Sequence, residues 1–254
     1  MSLDVVETIK STFSQFKSET GLKILGAFLL VNLIITGLTF GMTSQGTIAS
    51  LSVVALIFAS LGSIVLTIGA YRSLFEGSIE REQFTEDLIM PFFRNLGSGA
   101  VLGLFTFIGF YVALVPLILI AGGASVFATP NMLTSLSPTI VTAAGIIGGA
   151  VALYPVLALV TSIPMIFIEK DRMFEALDKS VQRSSGEKLG MFFALLPVAL
   201  LYVVAQLTTL TGLSGSTISS MSPSGMIIST VLSSIATVAS ISLLVEYHKN
   251  LPEA

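Results

Sequence analysis

Charged side chains are missing from three long stretches of this chain. Residues 24–71, 95–168 and 189–245 run for 48, 74 and 57 positions without an Asp, Glu, Lys, Arg or His. A helix needs roughly 20 apolar residues to cross a bilayer. Each stretch is too long for one crossing and long enough for two with a turn. Segments rich in Ser, Thr, Gly and Pro interrupt the apolar pattern at 43–50, 129–139 and 211–225, where turns are predicted. The pattern therefore predicts an all-α polytopic membrane protein, one integral domain over 1–254. Six spans are expected in three hairpins, at about 23–42, 51–71, 96–122, 140–168, 189–210 and 225–246. The third and fourth are long enough to tilt or to run past the bilayer.

Between the apolar stretches the periodicity changes. Val5, Val6, Ile9, Phe13 and Phe16 recur at helical spacing, as do Phe84, Leu88, Ile89, Phe92 and Phe93. A third stripe is Met173, Phe174, Leu177 and Val181, with Arg172, Glu175, Asp178 and Gln182 on the opposite face. These are predicted to be short amphipathic helices at the headgroup boundary, apolar face down. Each feeds a span through similar residues: Lys23-Ile24-Leu25-Gly26, Arg94-Asn95-Leu96-Gly97 and Lys188-Leu189-Gly190. The chain thus reads as three units, each a short helix followed by a hairpin. Either an internal repeat or the common need for a basic anchor at a hairpin entry accounts for this.

Composition agrees with the pattern. Charged residues make up 11% of the chain, against about 25% in soluble proteins. Mean hydropathy is +0.93. All 12 Lys and Arg, and all 15 Asp and Glu, fall in the N-terminal segment, the 71–94 connection, the 169–188 connection and the tail. With an even number of spans these four places share one side. Basic residues in short loops stay cytoplasmic, so a cell-membrane protein with both termini inside is expected. The first 22 residues lack the early apolar core of a cleaved leader, so the first span would insert as an anchor.

Within the spans, three glycine pairs have the spacing that lets helix backbones approach: Gly37/Gly41, Gly99/Gly103 and Gly145/Gly149. They are candidate helix-packing positions. Pro116, Pro155, Pro164 and Pro197 each remove a backbone donor. Pro155 and Pro164 make the fourth span the candidate broken helix, a type that lines sites in transporters. Asn32, Tyr154 and Gln206 are the larger polar side chains at depth, suited to hydrogen bonds between helices.

The inventory also bounds the chemistry. There is no cysteine and only one histidine, His248, so no thiol nucleophile or His/Cys metal cluster is available. No carboxylate, Lys, Arg or His lies in a span interior, which disfavours proton-driven transport. Zinc-protease, nucleophile-elbow and P-loop patterns are absent. The acidic run Glu76, Glu80, Glu82, Glu86 and Asp87 reads as a solvated face, and Glu246 and His248 read as ordinary end-of-helix residues. A net charge of −3 gives no basic footprint for nucleic acid. No catalytic residue, metal site or cofactor is predicted.

The stretch IPMIFIEKDRMFEALDKSVQRSSG resembles the multi-pass membrane domain that precedes some glycerophosphodiester phosphodiesterases, together with its free-standing bacterial and archaeal relatives. The resemblance rests on Pro164, the acidic turn at 169–171 and the core Glu175-Ala176-Leu177-Asp178-Lys179-Ser180. A looser match is YRSLFEG at 71–77, and Val115-Pro116 fits where Leu117 replaces the family's glycine. The resemblance covers 71–190 and implies six helices in a membrane. It brings no catalytic residues, because the phosphodiesterase domain is absent.

The leading expectation is a non-enzymatic integral membrane protein, an accessory, scaffold or assembly component. Its partners would be the lipid bilayer and another membrane or cytoplasmic protein reached through the charged connections. The candidate contact residues are Met173, Phe174, Glu175, Leu177, Asp178 and Val181. Five acids and five bases balance across 169–188, so this helix is no simple polybasic lipid anchor. The alternative is a transporter or channel for a small neutral or lipid-like solute, with the fourth span on its path.

Overall fold

The computed structural model describes residues 5–44, 49–122, 160–184, 186–211 and 223–250, and the single positions 143, 146, 147, 153, 156 and 157. The described residues are helical, with no strand among them. In chain order the helices are α1 (Val5–Phe16), α2 (Glu19–Ser44), α3 (Ala49–Glu76), α4 (Arg81–Thr85) and α5 (Ile89–Gly122). Then come α6 (Ser162–Pro164), which continues as a π-helical stretch over Met165–Glu169, and α7 (Met173–Arg183). The last two are α8 (Lys188–Thr211) and α9 (Pro223–Asn250).

Five of these, α2, α3, α5, α8 and α9, are long and apolar enough to cross a membrane. The shortest, α8, has 24 residues. At about 1.5 Å per residue that exceeds the roughly 30 Å of a hydrocarbon core. The predicted fourth span falls mostly outside the described residues. Its described part ends in α6 and the π-helical stretch.

The central helix is α9, which packs against α8, α2, α1 and α3. Half of its apolar window is buried inside the protein, against 11–17% for the other four. Polar pairs hold it in register with its neighbours. The amide of Asn32 donates to Ser234 Oγ at 2.9 Å, and the Thr36 and Thr230 hydroxyls meet at 2.8 Å, both between α2 and α9. Tyr202 on α8 and Thr237 on α9 are paired at 2.9 Å. Asn32 thus has the interhelical role expected of it. Tyr154 and the side chain of Gln206 lie outside the described residues.

The main core gathers at the charged end of the bundle. It joins Ile24 and Phe28 of α2, Tyr71 and Leu74 of α3, Met165–Phe167, Met191 of α8, and Val245 and Tyr247 of α9. Three consecutive residues, Met165, Ile166 and Phe167, are all buried. Here the chain is enclosed on every side, so no amphipathic period survives.

Several boundaries differ from the sequence expectation. The amphipathic helix expected over 79–93 is two pieces. Five-residue α4 ends at Thr85, Asp87 takes a left-handed φ of 46°, and α5 begins at Ile89. Phe92 and Phe93 therefore belong to the first turn of a long helix. There Pro91 is tolerated, because an N-terminal N–H has no helical partner to lose. α1 is one helix, as expected. It folds back against α8 and α9. Ser18 makes that reversal: its hydroxyl accepts from Gly21 N at 3.1 Å, capping α2, and donates to Gln15 O at 2.6 Å. A Cβ at Gly21 would stand 2.5 Å from Gln15 O, so the turn requires glycine.

The three span entries also differ in surroundings. Leu25 is half-buried against the core, whereas the matching Leu96 and Leu189 are exposed. Similar residues at the entries do not make similar packing.

Candidate functional site

The charged connections converge on one another at one end of the bundle. The hub is Arg72, four residues before the end of α3 and only 7% exposed. Its Nε donates to Phe167 O at 3.0 Å. Nη1 donates to Gln83 O at 3.3 Å and Glu86 O at 2.7 Å, and Nη2 to Asp87 O at 3.4 Å. The last carbonyls of a helix have no partner within it and carry its negative dipole end. The C-terminus of α4 and the irregular π-helical stretch supply such carbonyls, and the planar fork of a guanidinium can reach several at once. Tyr71 adds a ring contact with Phe167, centroids 5.2 Å apart. The two sequence fragments YRSLFEG and IPMIFIEKDR are therefore in direct contact.

Buried Gln83 fixes α4 beneath this hub. Its Nε2 donates to Glu76 Oε2, and its Oε1 accepts from Ser73 Oγ and from Glu80 N, at 2.5, 2.5 and 2.9 Å. Phe84 lies against Gly69 of α3 so closely that a Cβ there would overlap the ring. Gly69→Val is expected to cost about 1–3 kcal/mol, the usual range for overpacking. Thermal unfolding of the variant beside Gly69→Val/Phe84→Leu checks this, because the smaller side chain should restore part of the loss. Gly97 of α5 faces the thioether of Met173 in a similar way. There a flexible side-chain end can move, so alanine should be tolerated.

The end of α3 is tied down by three other elements. Gly77, at φ 76°, closes it with N–H to Ser73 O at 2.8 Å. The carbonyl of Leu74 accepts from Gln15 Nε2 at 2.5 Å and Lys249 Nζ at 3.4 Å, and Gly77 O accepts from Thr20 Oγ1 at 2.9 Å.

The acidic turn 169–171 is the second junction. Glu169 meets Arg183 at 3.3 Å, Lys179 at 3.7 Å and His248 Nε2 at 3.2 Å. Asp171 holds Lys179 at 2.8 Å, and Glu175 approaches the same ammonium at 3.4 Å. Hydrogen bonding to Asp171 raises the Lys179 pKa above that of an ordinary lysine. Arg94 of α5 donates to the carbonyls of Lys170 and Asp171. Lys170, itself left-handed at φ 60°, pairs with Asp87 at 2.9 Å. That hydrogen bond holds the Asp87 carboxyl below the usual carboxylate range. The pair is exposed, so solvent screens it and it contributes little to stability. Buried Arg72 is the member that matters for stability.

The predicted contact helix, α7, divides its stripe. Leu177 is buried with Ala176 and Ser180, Met173 packs on α5, and Ser180 bonds to Thr161. Phe174 is 75% exposed and Val181 45% exposed, so the bundle itself covers only part of the apolar stripe. The buried line is Ala176, Leu177 and Ser180, with Met173 half-buried beside it, because small residues permit close approach to the 160–165 segment. Glu175 and Asp178 are exposed beside Phe174.

Three glycines of the candidate packing pairs are described. Gly37, Gly99 and Gly103 have no atom within 4 Å of where a Cβ would stand. Gly145 and Gly149, and the surroundings of Gly41, lie outside the described residues, as does Pro155. At Pro164 the α-helix passes directly into the π-helical stretch.

Sequence reading missed Arg72, Gln83 and His248 as structural ligands. His248, taken for an ordinary end-of-helix residue, is buried against Glu169 and lies 5.9 Å from the Phe75 ring. A usable signal was the arginine directly after an uncharged stretch, within the 71–77 fragment. Among the described residues no group of three or more His, Asp or Glu is placed to hold a metal ion. No family model, no curated protein and no solved structure matches this chain.

Proposed function

We propose that this chain is a non-enzymatic integral membrane protein, an accessory or assembly component that meets a partner through α7. In this reading six spans form three hairpins, and the end bearing Arg72 and the 169–171 turn faces the cytoplasm with both termini. The observation that carries it is the division of α7. One face is fixed to the bundle through Leu177, Ser180, Lys179 and Arg183. The other presents Phe174, Val181, Glu175 and Asp178 outward. A large apolar side chain flanked by carboxylates on a fixed helix suits a partner with an apolar groove and a basic rim. The contact between the two fragments that resemble the phosphodiesterase-associated membrane domain supports placing the chain beside that domain.

The transporter alternative draws on the break after Pro164. That break is packed shut: Met165–Phe167 are buried, and Arg72 and Arg94 occupy the carbonyls at its end. The break reads better as a clasp than as a path.

The test is Glu175→Lys/Asp178→Lys together with Phe174→Ala. Exposed substitutions cost the fold under about 0.5 kcal/mol, and Lys179 keeps Asp171. Folded yield should be unchanged while a partner that co-purifies with the wild type in mild detergent is lost. Equal recovery of that partner by both variants would end the α7 proposal.

A further inference from the structure

An apolar crevice of about 500 Å³, open mouth included, lies between α1, α8 and α9. Ile9 and Phe13 form its outer wall, Pro197 and Leu201 one side, and Ile235 and Ala239 the other. The one hydroxyl in its lining, Thr12 Oγ1, already donates to Thr8 O at 2.7 Å. No polar group there is left for water to satisfy, and apolar cavities of this kind take apolar guests.

Depth identifies the guest. Leu201 stands about 20 Å along α8 from Lys188, and Ile235 about 22 Å along α9 from Asn250, at 1.5 Å per residue. On the membrane reading proposed above, the inner end of the crevice approaches the middle of a hydrocarbon layer about 30 Å thick. The material present at that depth is hydrocarbon chain. The wall facing it is amphipathic, with Glu7, Lys10 and Ser14 exposed on its outer side beside two large apolar residues. Ile9 and Thr12 turn inward, while Val6 and Phe13 are 60% and 57% exposed. The wall is also held in place. The glycine-dependent turn at Ser18–Gly21 and the Gln15 bond to Leu74 O anchor the C-terminal end of α1. A three-walled slot with a fixed outer helix differs from the surface of α5, where Leu104 and Phe107 are exposed and no such wall is found among the described residues.

We propose that this crevice binds one acyl chain of a bilayer lipid, with α1 as a fixed retaining wall. The inference rests on the membrane reading of the chain. The test places the full protein in phosphatidylcholine nanodiscs that contain a trace of phosphatidylcholine with a mid-chain diazirine. After illumination, labelled peptides are quantified by mass spectrometry. Labelling is expected to be several-fold higher on the α1, α8 and α9 crevice residues than on Leu104 and Phe107. Ala239→Phe and Ile9→Trp, which plug the slot from opposite walls, should remove that excess and leave α5 labelling unchanged. Even labelling of all lipid-facing helices in the wild type would overturn the proposal, whatever the variants do. So would an excess that persists in either variant, which would place the label on general surface lipid. Alkaline carbonate extraction separates the two levels: release of the chain from membranes removes the membrane reading itself. Retention with even labelling removes only the crevice.

Discussion

Arg72→Met should be the most damaging single substitution at the charged end. Methionine keeps the apolar stem but leaves the carbonyls of Phe167, Gln83, Glu86 and Asp87 without the cation that now serves them. Hydrogen bonds to a charged group contribute about 1.5–3 kcal/mol, and a buried group left unpaired adds its own desolvation cost. A total loss of about 3–5 kcal/mol is expected, comparable to breaking a buried ion pair. For a chain of this size that is on the order of 10 °C in the unfolding midpoint. Arg72→Lys should fall between, because an ammonium keeps the charge but cannot fork across carbonyls from two segments. Lys170→Ala removes an exposed pair and should shift the midpoint very little. The midpoints are read by thermal scanning of detergent-purified protein. An Arg72→Met midpoint equal to wild type would mean that Arg72 is not the clasp between α3, α4 and the 165–169 stretch.

What the sequence revealed and what it hid follow from the same physics. Helix existence was legible wherever apolar residues ran uncharged for 20 positions or more, because length alone sets that signal. Four described spans agree closely in extent with the expectation; α5 starts earlier, at Ile89, because the 79–93 segment breaks at Asp87. A break of this kind has no periodic signature. Asp87 adopts a left-handed φ with Lys170 beside it, and these residues are 83 positions apart. The clasp was hidden for the same reason. Arg72 and Phe167 are 95 positions apart, and backbone carbonyls carry no sequence mark. The α7 stripe was half legible. Helical spacing found Met173 and Leu177, but it also took in Phe174 and Val181. Ala176 and Ser180, which do the close packing, are too small or too polar to register in an apolar pattern. Asn32 was legible because an amide among apolar residues has few stable options other than a partner hydroxyl.

The proposed orientation has an all-or-none consequence. The chain contains no cysteine, so single cysteines report without background. On intact cells, Ser44→Cys, Ser135→Cys and Ser216→Cys should react with an impermeant thiol reagent. These positions lie in the three uncharged turns that the even-span topology places outside. The internal reporter must be chosen with care. Ser184 sits in the charged 169–188 connection, but its side chain is buried at the end of α7, where its hydroxyl contacts Val181 O. A cysteine there would stay unlabelled on either side of the membrane. Gln182 is exposed on the same helix and bonds only to nearby Asp178, at 2.9 Å. Gln182→Cys should therefore be silent on intact cells and labelled once the membrane is permeabilised. Ser184→Cys should remain poorly labelled in both conditions. Labelling of Gln182→Cys on intact cells, with the three turn cysteines silent, would reverse the orientation. The Arg72 clasp and the outward face of α7 would then lie outside the cell, beyond the reach of any cytoplasmic partner.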